Sequence, residues 1–100
     1  MSKRGGLHDK TRCARLAALF KTLSHPQRLR IFCCLCDKES TAGELRSACG
    51  ASQSILSQHL TRMRLEGIVK SRRNGIHMHY RIADSKLPAL VKNMEKIVNG

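Results

Sequence analysis

The chain has 100 residues, 41% of them hydrophobic, with 19 lysines and arginines against 7 acids, a net charge of +12 and a pI near 10.3. That length bounds it to one small domain with a modest core, and that hydrophobic share excludes a disordered chain. The charge attracts polyanions, so nucleic acid or an acidic membrane surface heads the possible partners.

The opening "MSKRGGLHDK" is basic with no apolar stretch behind it, which is not the pattern of a signal peptide. Residues 1–8 read as a flexible basic tail and residues 9–98 as one folded domain. No apolar run approaches the ~18 residues of a membrane span, so no membrane partner is expected. From about Thr11, residues Cys13, Leu16, Ala17, Phe20 and Leu23 recur at helical spacing and predict a first helix. "SHPQ" interrupts it, with Ser24 as the expected cap of a second helix and Pro26 in its first turn. That helix runs to about Lys38 and is expected to carry Leu29, Phe32, Cys33 and Cys36 on one side.

Thr41 with Glu44 three residues later reads as a capping box, so a short third helix starts there, and Gly50 suits a left-handed stop. Ser52 caps a fourth helix with Leu56, His59, Leu60 and Met63 on its apolar stripe and Gly67 at its end. Two helices joined by a tight glycine-containing turn form a helix-turn-helix. Next, Ile76, Met78, Tyr80 and Ile82 alternate with His77, His79 and Arg81, the pattern of a strand with one buried face. Asn74-Gly75 is a hairpin signal, because both residues tolerate positive φ. The last segment, Lys86 to Val98, is helical through Leu87, Leu90, Val91, Met94, Ile97 and Val98, a stripe wide enough to pack against a second subunit. The expected class is mostly α with a small β-hairpin: a winged helix-turn-helix.

On the fourth helix Ser54, Ser57, Gln58 and Thr61 fall at i, i+3, i+4 and i+7 opposite the apolar stripe, flanked by Gln53 and Arg62. Short polar side chains and amides on one face are what base edges in a major groove require. Lys70, Arg72, Arg73 and Asn74, before and at the turn, are placed for phosphates or a neighbouring minor groove, with Arg28, Arg46 and Arg64 as further backbone contacts. The bland alternative is a solvated helix face. His59, on the apolar stripe, reads as a packed histidine rather than a ligand. No nucleophile–base arrangement and no phosphate-binding glycine loop is present, so an enzyme is not expected.

Five cysteines are an odd number, and Cys33, Cys34 and Cys36 crowd into "RIFCCLCDK". That is a poor disulfide framework and points to reduced thiols in a cytoplasm. At ~100° per residue, Cys33 and Cys36 lie about 60° apart, with Cys34 nearly opposite Cys36. Three sulfurs on this helix therefore cannot converge on one metal without Cys13, Cys49 or another subunit. His77 and His79 share a strand face but have no third ligand. No metal and no cofactor are expected. The C-x-x-C of Cys33 to Cys36 lies late in its helix, where the dipole opposes a thiolate. The plain alternative is that Cys33 and Cys36 are small buried hydrophobes.

The order helix, helix, helix-turn-helix, hairpin, helix resembles the ArsR/SmtB family of winged-helix repressors. The likeness spans about residues 16 to 98 and is carried by "LFKTLSHPQRLRI", "TAGEL", "SQSILSQHLTRMRLEGIVKSRRNG" and "HYRI". Within the family the chain is most similar to the persulfide- and redox-responsive branch that includes BigR, SqrR and HlyU. The resemblance implies a homodimer, joined through its first and last helices, that represses transcription by sitting on an inverted repeat in double-stranded DNA. The arsenite-binding positions of the family read Thr41, Gly43 and Arg46 here, and the final helix has no histidine for the zinc pattern. Cys33 matches the first cysteine of the branch's sensing pair, whereas the second falls on Asn99. Cys13 is then the best substitute partner, with Cys36 a third candidate. A repressor with no thiol sensing, constitutive or controlled by a small molecule or a protein, stays open, as do a metal-responsive repressor and a pure interaction module.

Overall fold

A computed structural model describes residues 9–99, so the basic tail expected at residues 1–8 lies outside the described residues. The order is α1 (Lys10–Leu23), α2 (Pro26–Asp37), β1 (Ser40–Thr41), α3 (Ala42–Cys49), α4 (Gln53–Leu65), β2 (Val69–Asn74), β3 (His77–Ile82) and α5 (Leu87–Asn99). Helix α1 starts where the Asp9 carboxylate accepts from the Thr11 and Arg12 N–H groups, relieving two orphan donors. The capping box at α3 is present in full, with Thr41 Oγ1 accepting from Glu44 N and Glu44 Oε1 accepting from Thr41 N. Gly50 closes α3 in the left-handed region at φ 68°, a conformation that costs a glycine nothing.

The core is one cluster drawn from every central element: Ile31, Phe32 and Leu35 of α2, Leu45 and Cys49 of α3, Leu56, Leu60 and Met63 of α4, and Ile68 and Val69 entering β2. Leu19 and Leu23 of α1, and Leu87 and Val91 of α5, close it from the other side. Each fully buried aliphatic or aromatic side chain contributes roughly 1.5–3 kcal/mol, so this cluster fixes how the helix-turn-helix of α3 and α4 sits.

Four expectations need correction. The cap of α2 is His25, not Ser24: its Nδ1 accepts from Gln27 N at 3.2 Å, while Ser24 ends α1 and its Oγ donates to the Lys21 carbonyl. Proline at the first helical position explains this, because it drives the residue before it into the extended region that a cap requires. The hairpin turn is Gly75-Ile76 rather than Asn74-Gly75, since Asn74 pairs with His77 and stays in the strand. Gly75 has φ 67° and no other described residue near the turn takes positive φ, matching the turn type with glycine at its first central position. Ile76 consequently stands 87% exposed at the wing tip instead of joining the strand's buried face.

The sheet has three strands, not two, in the order β1-β3-β2, with Ser40 opposite Tyr80 and Thr41 opposite His79. Two residues are too few to show an alternating pattern, so β1 leaves no periodic trace. Lastly, the core side of α2 is Ile31, Phe32 and Leu35. Leu29 and Cys33 are exposed, on the side that meets α5, so Cys33 is not core packing, whereas Cys36 is half-buried and packs against the core cluster. Helix α2 has apolar partners on two sides, and spacing alone does not tell which arc is the core.

Candidate nucleic-acid interface

Helix α4 turns Leu56, Leu60 and Met63 into the core. The opposite side leaves Gln53, Ser54, Ser57, Gln58, Thr61 and Arg62 exposed together, as their spacing predicts. Ser52 caps the helix by accepting from Ile55 N at 3.2 Å, so the N-terminal end that carries Gln53 and Ser54 projects from a defined turn. Arg46, on α3, donates through Nη1 to Gln53 Oε1 at 3.3 Å, which orients the first amide of this face. Between α3, α4 and the wing lies an open cleft of about 390 Å³ whose walls include Arg46, Gln53, Ser57, Ile76 and His77.

The wing splits its basic residues between two faces. Register pairs Lys70 with Arg81 and Arg72 with His79 on one face, and Arg73 with Met78 on the other. Arg72 is further held by Glu39, Nη2 to Oε2 at 2.6 Å, with His79 Nδ1 at 3.7 Å from the same oxygen. Arg72 is therefore partly neutralised at the wing's root, while Lys70, Arg73 and Asn74 are exposed. Arg28 is half-buried, and its Nε and Nη1 atoms are buried and meet no hydrogen-bond partner among the described residues. Arg46 and Arg64 are exposed.

Two ties reach α4 from other elements. The buried Thr22 of α1 donates its hydroxyl to Glu66 Oε1, and Arg62 Nε donates to Glu66 Oε2 at 3.1 Å. One carboxylate thus joins α1 to the last turn of α4. His59 Nε2 lies 3.2 Å from Gln27 Oε1, and its ring centroid is 4.8 Å from that of His25, so it is a partnered, half-buried histidine. Burial pushes its pKa down, with His25 and Arg28 adding to the effect. Neither tie is written in local spacing, since Thr22 and Glu66 stand 44 residues apart.

The cysteines take two directions from α2. Cys33 opens into a cavity of about 580 Å³ between α1, α2 and α5, lined by Phe20, Leu23, Val91, Met94 and Asn99 among others. The position expected of a second sensing thiol, Asn99, thus lies on the same cavity as Cys33. Burial by these apolar walls raises the Cys33 thiol above its ordinary range, and Glu95, Cys34 and Asp37 add to it. Cys36 is pushed up to about 11, by burial first and then by Cys33 and Asp37. Cys13 is exposed on α1 and is not among the residues lining the Cys33 cavity. Cys34 points to α3, where its Sγ lies 4.0 Å from that of Cys49. Among the described residues no three histidine, cysteine or acidic side chains gather as a metal-ligand set, and no helix is long and apolar enough to cross a membrane.

Residues 25–71, which hold α2 to the start of the wing, match the description "Bacterial regulatory protein, arsR family". The biofilm growth-associated repressor of Xylella fastidiosa is 42% identical over 86 residues, covering 86% of this chain and 75% of the relative. The chain belongs to the ArsR family. A solved structure of HlyU from Vibrio cholerae N16961 superposes with a TM-score of 0.84 at 30% identity, over 92% of this chain and all of that one. Mb0332 of Mycobacterium bovis, described as a homodimeric winged helix-turn-helix DNA-binding domain, superposes with a TM-score of 0.77 at 26% identity, over 100% of this chain and 96% of that one. As an ArsR-family member the chain is a DNA-binding transcriptional regulator and not an enzyme. α4 is the recognition helix of its winged helix-turn-helix.

Proposed function

We propose that this protein is a cytoplasmic homodimeric repressor that sits on an inverted-repeat operator and leaves it when Cys33 is oxidised or persulfidated. The observation that carries the DNA reading is the exposed polar face of α4: Gln53, Ser54, Ser57, Gln58, Thr61 and Arg62 stand together, opposite a buried stripe, on a chain of net charge +12. Gln53 and Gln58 pair with adenine edges, and Ser54, Ser57 and Thr61 accept or donate to several bases. Lys70, Arg73 and Asn74 of the wing fix the register on phosphates, and Arg72 joins them when Glu39 releases it.

A dimer is supported by the apolar residues left uncovered on α5, Met94, Ile97 and Val98, and by Leu16 and Phe20 on α1. Two copies related by a two-fold axis present their recognition helices to successive major grooves, which is why an inverted repeat is the fitting target. The thiol part of the reading rests on Cys33 facing the cavity where these two helices meet α2. Adding oxygen or sulfur there places a larger, more polar group against Phe20 and Met94, and so biases the spacing of the two recognition helices.

Fluorescence anisotropy on DNA from upstream of the protein's own gene tests both parts. Reduced protein is expected to bind one segment with a steep salt dependence, and Gln58→Ala is expected to cost about 1–3 kcal/mol on that segment alone. Thiol modification is expected to weaken binding in the wild type and to weaken it less in Cys33→Ser. Equal binding to every DNA segment overturns the specific reading, and an unchanged oxidant response in Cys33→Ser overturns the thiol reading. Release by zinc or arsenite instead would assign a metal-responsive repressor.

A further inference from the structure

Cys34 and Cys49 form a second dithiol, apart from the cavity that Cys33 faces. Their sulfurs lie 4.0 Å apart across the contact between α2 and α3. Cys49 is the last residue of α3 and directly precedes Gly50, the left-handed residue that opens the turn of the helix-turn-helix. Cys34 is half-buried and lines an open cavity of about 590 Å³ with Asp37, Lys38, Ser40 and Glu44, so small solutes reach it from solvent. Cys49 is buried, and burial pushes its thiol up to about 11, with Cys34 beside it adding to the effect. The pair therefore has one thiol that meets solvent and one that is held in reserve.

We propose that Cys34 and Cys49 are an oxidisable pair that closes to an α2–α3 disulfide and alters the turn leading into the recognition helix. With hydrogen peroxide as oxidant, the Cys34 thiol becomes a sulfenic acid and one water leaves. The Cys49 sulfur then bonds to the Cys34 sulfur, expelling the sulfenic oxygen as a second water. Two thiols and one peroxide give one disulfide and two waters. A disulfide holds its sulfurs about 2.05 Å apart, so closure draws them roughly 2 Å nearer. Closely packed elements transmit such a shift rather than absorb it, and the end of α3 is the point that aims Ser52, Gln53 and Ser54. This goes beyond the regulator reading, and its DNA consequence alone rests on that reading.

The whole chain, oxidised with hydrogen peroxide, alkylated and cut after lysine and arginine, is expected to yield peptide 31–38 joined to peptide 47–62, with fragment ions placing the link at Cys34. In a Cys13→Ser, Cys33→Ser, Cys36→Ser chain the two remaining thiols are expected to fall to none on oxidation and return on reduction. Amide hydrogen exchange at Gly50 to Gln53 is expected to change with them, and operator affinity to fall roughly tenfold. Cys49→Ala in that background should form no intrachain disulfide, stopping at the Cys34 sulfenic acid, and should abolish the exchange and affinity changes. Thiols that persist under peroxide, a link formed elsewhere or between two chains, or a disulfide that leaves exchange at the turn unaltered would overturn the proposal. Reduced protein that binds no operator refutes the DNA reading instead, while the thiol count and exchange still decide this one.

Discussion

His59 shows how one side chain can sit on α4 apart from its exposed polar face. It turns away from the polar face and meets Gln27 at 3.2 Å beside the ring of His25. Burial lowers its pKa, with the charges of His25 and Arg28 adding to that, so the folded protein resists protonating it. The unfolded chain keeps the ordinary histidine value of roughly 6.5. Between the folded value and roughly 6.5 the unfolded state binds more protons, so stability rises with pH through that window, is full above it, and is lost as pH falls below it. His59→Gln keeps an amide for Gln27 and removes the titration. Its urea midpoint is expected to drop less than that of the wild type between about pH 7.5 and about pH 5.5. Equal drops would mean that His59 titrates freely. The cysteines separate in the same way: Cys34 shares a contact with Cys49 while its neighbour Cys33 faces α5. The ~100° between successive helical residues made that divergence legible, but not which direction is the core.

Helix starts marked by short-range chemistry were readable in the sequence wherever the signal was self-contained. The Thr41–Glu44 box, the Ser52 cap and the Gly50 stop all lie where spacing puts them. The stripe of α4 was readable too, because one side of it is buried and the other is not. What local spacing left open was set by partners far along the chain. β1 exists only because Ser40 and Thr41 meet Tyr80 and His79, and the outer face of α2 is decided by α5. The wing turn moved by one residue because the strand register, not the dipeptide, assigns the loop positions. That shift has a measurable consequence. A Cβ added at Gly75 meets nothing within 4 Å, so any cost of substitution comes from its φ of 67°. Gly75→Val is expected to lower stability by about 1–2 kcal/mol in chemical denaturation, and Gly75→Asn by less. Asn74→Ala, in extended backbone, is expected to stay within about 0.5 kcal/mol. If Asn74→Ala cost as much as Gly75→Val, the turn would be centred one residue earlier.

The molecule as a whole leaves apolar residues of α5 and α1 uncovered as a ridge. Ile97 is 82% and Val98 80% exposed on α5, and Val98 lines one cavity with Phe20 of α1. A chain of this length has a small core, so covering that ridge with a second copy adds stability as well as a second recognition helix. Thr22 and Glu66 join α1 to the end of α4, and Arg62 leans on the same carboxylate, so the surface proposed for pairing is mechanically tied to the one proposed for DNA. Ile97→Asp places a charge on the ridge without touching the cleft. Sedimentation is expected to show monomer for this variant at concentrations where the wild type is a dimer. Operator binding then separates loss of the dimer from loss of the site. A dimer making ~6–10 phosphate contacts loses roughly 10³–10⁵ in affinity between ~50 and ~200 mM salt. A monomer keeps one recognition helix and one wing, so its slope against the logarithm of salt is expected to be about half as steep. An unchanged slope in a monomeric Ile97→Asp would place all the phosphate contacts on one subunit, and a dimeric Ile97→Asp would move the interface off α5.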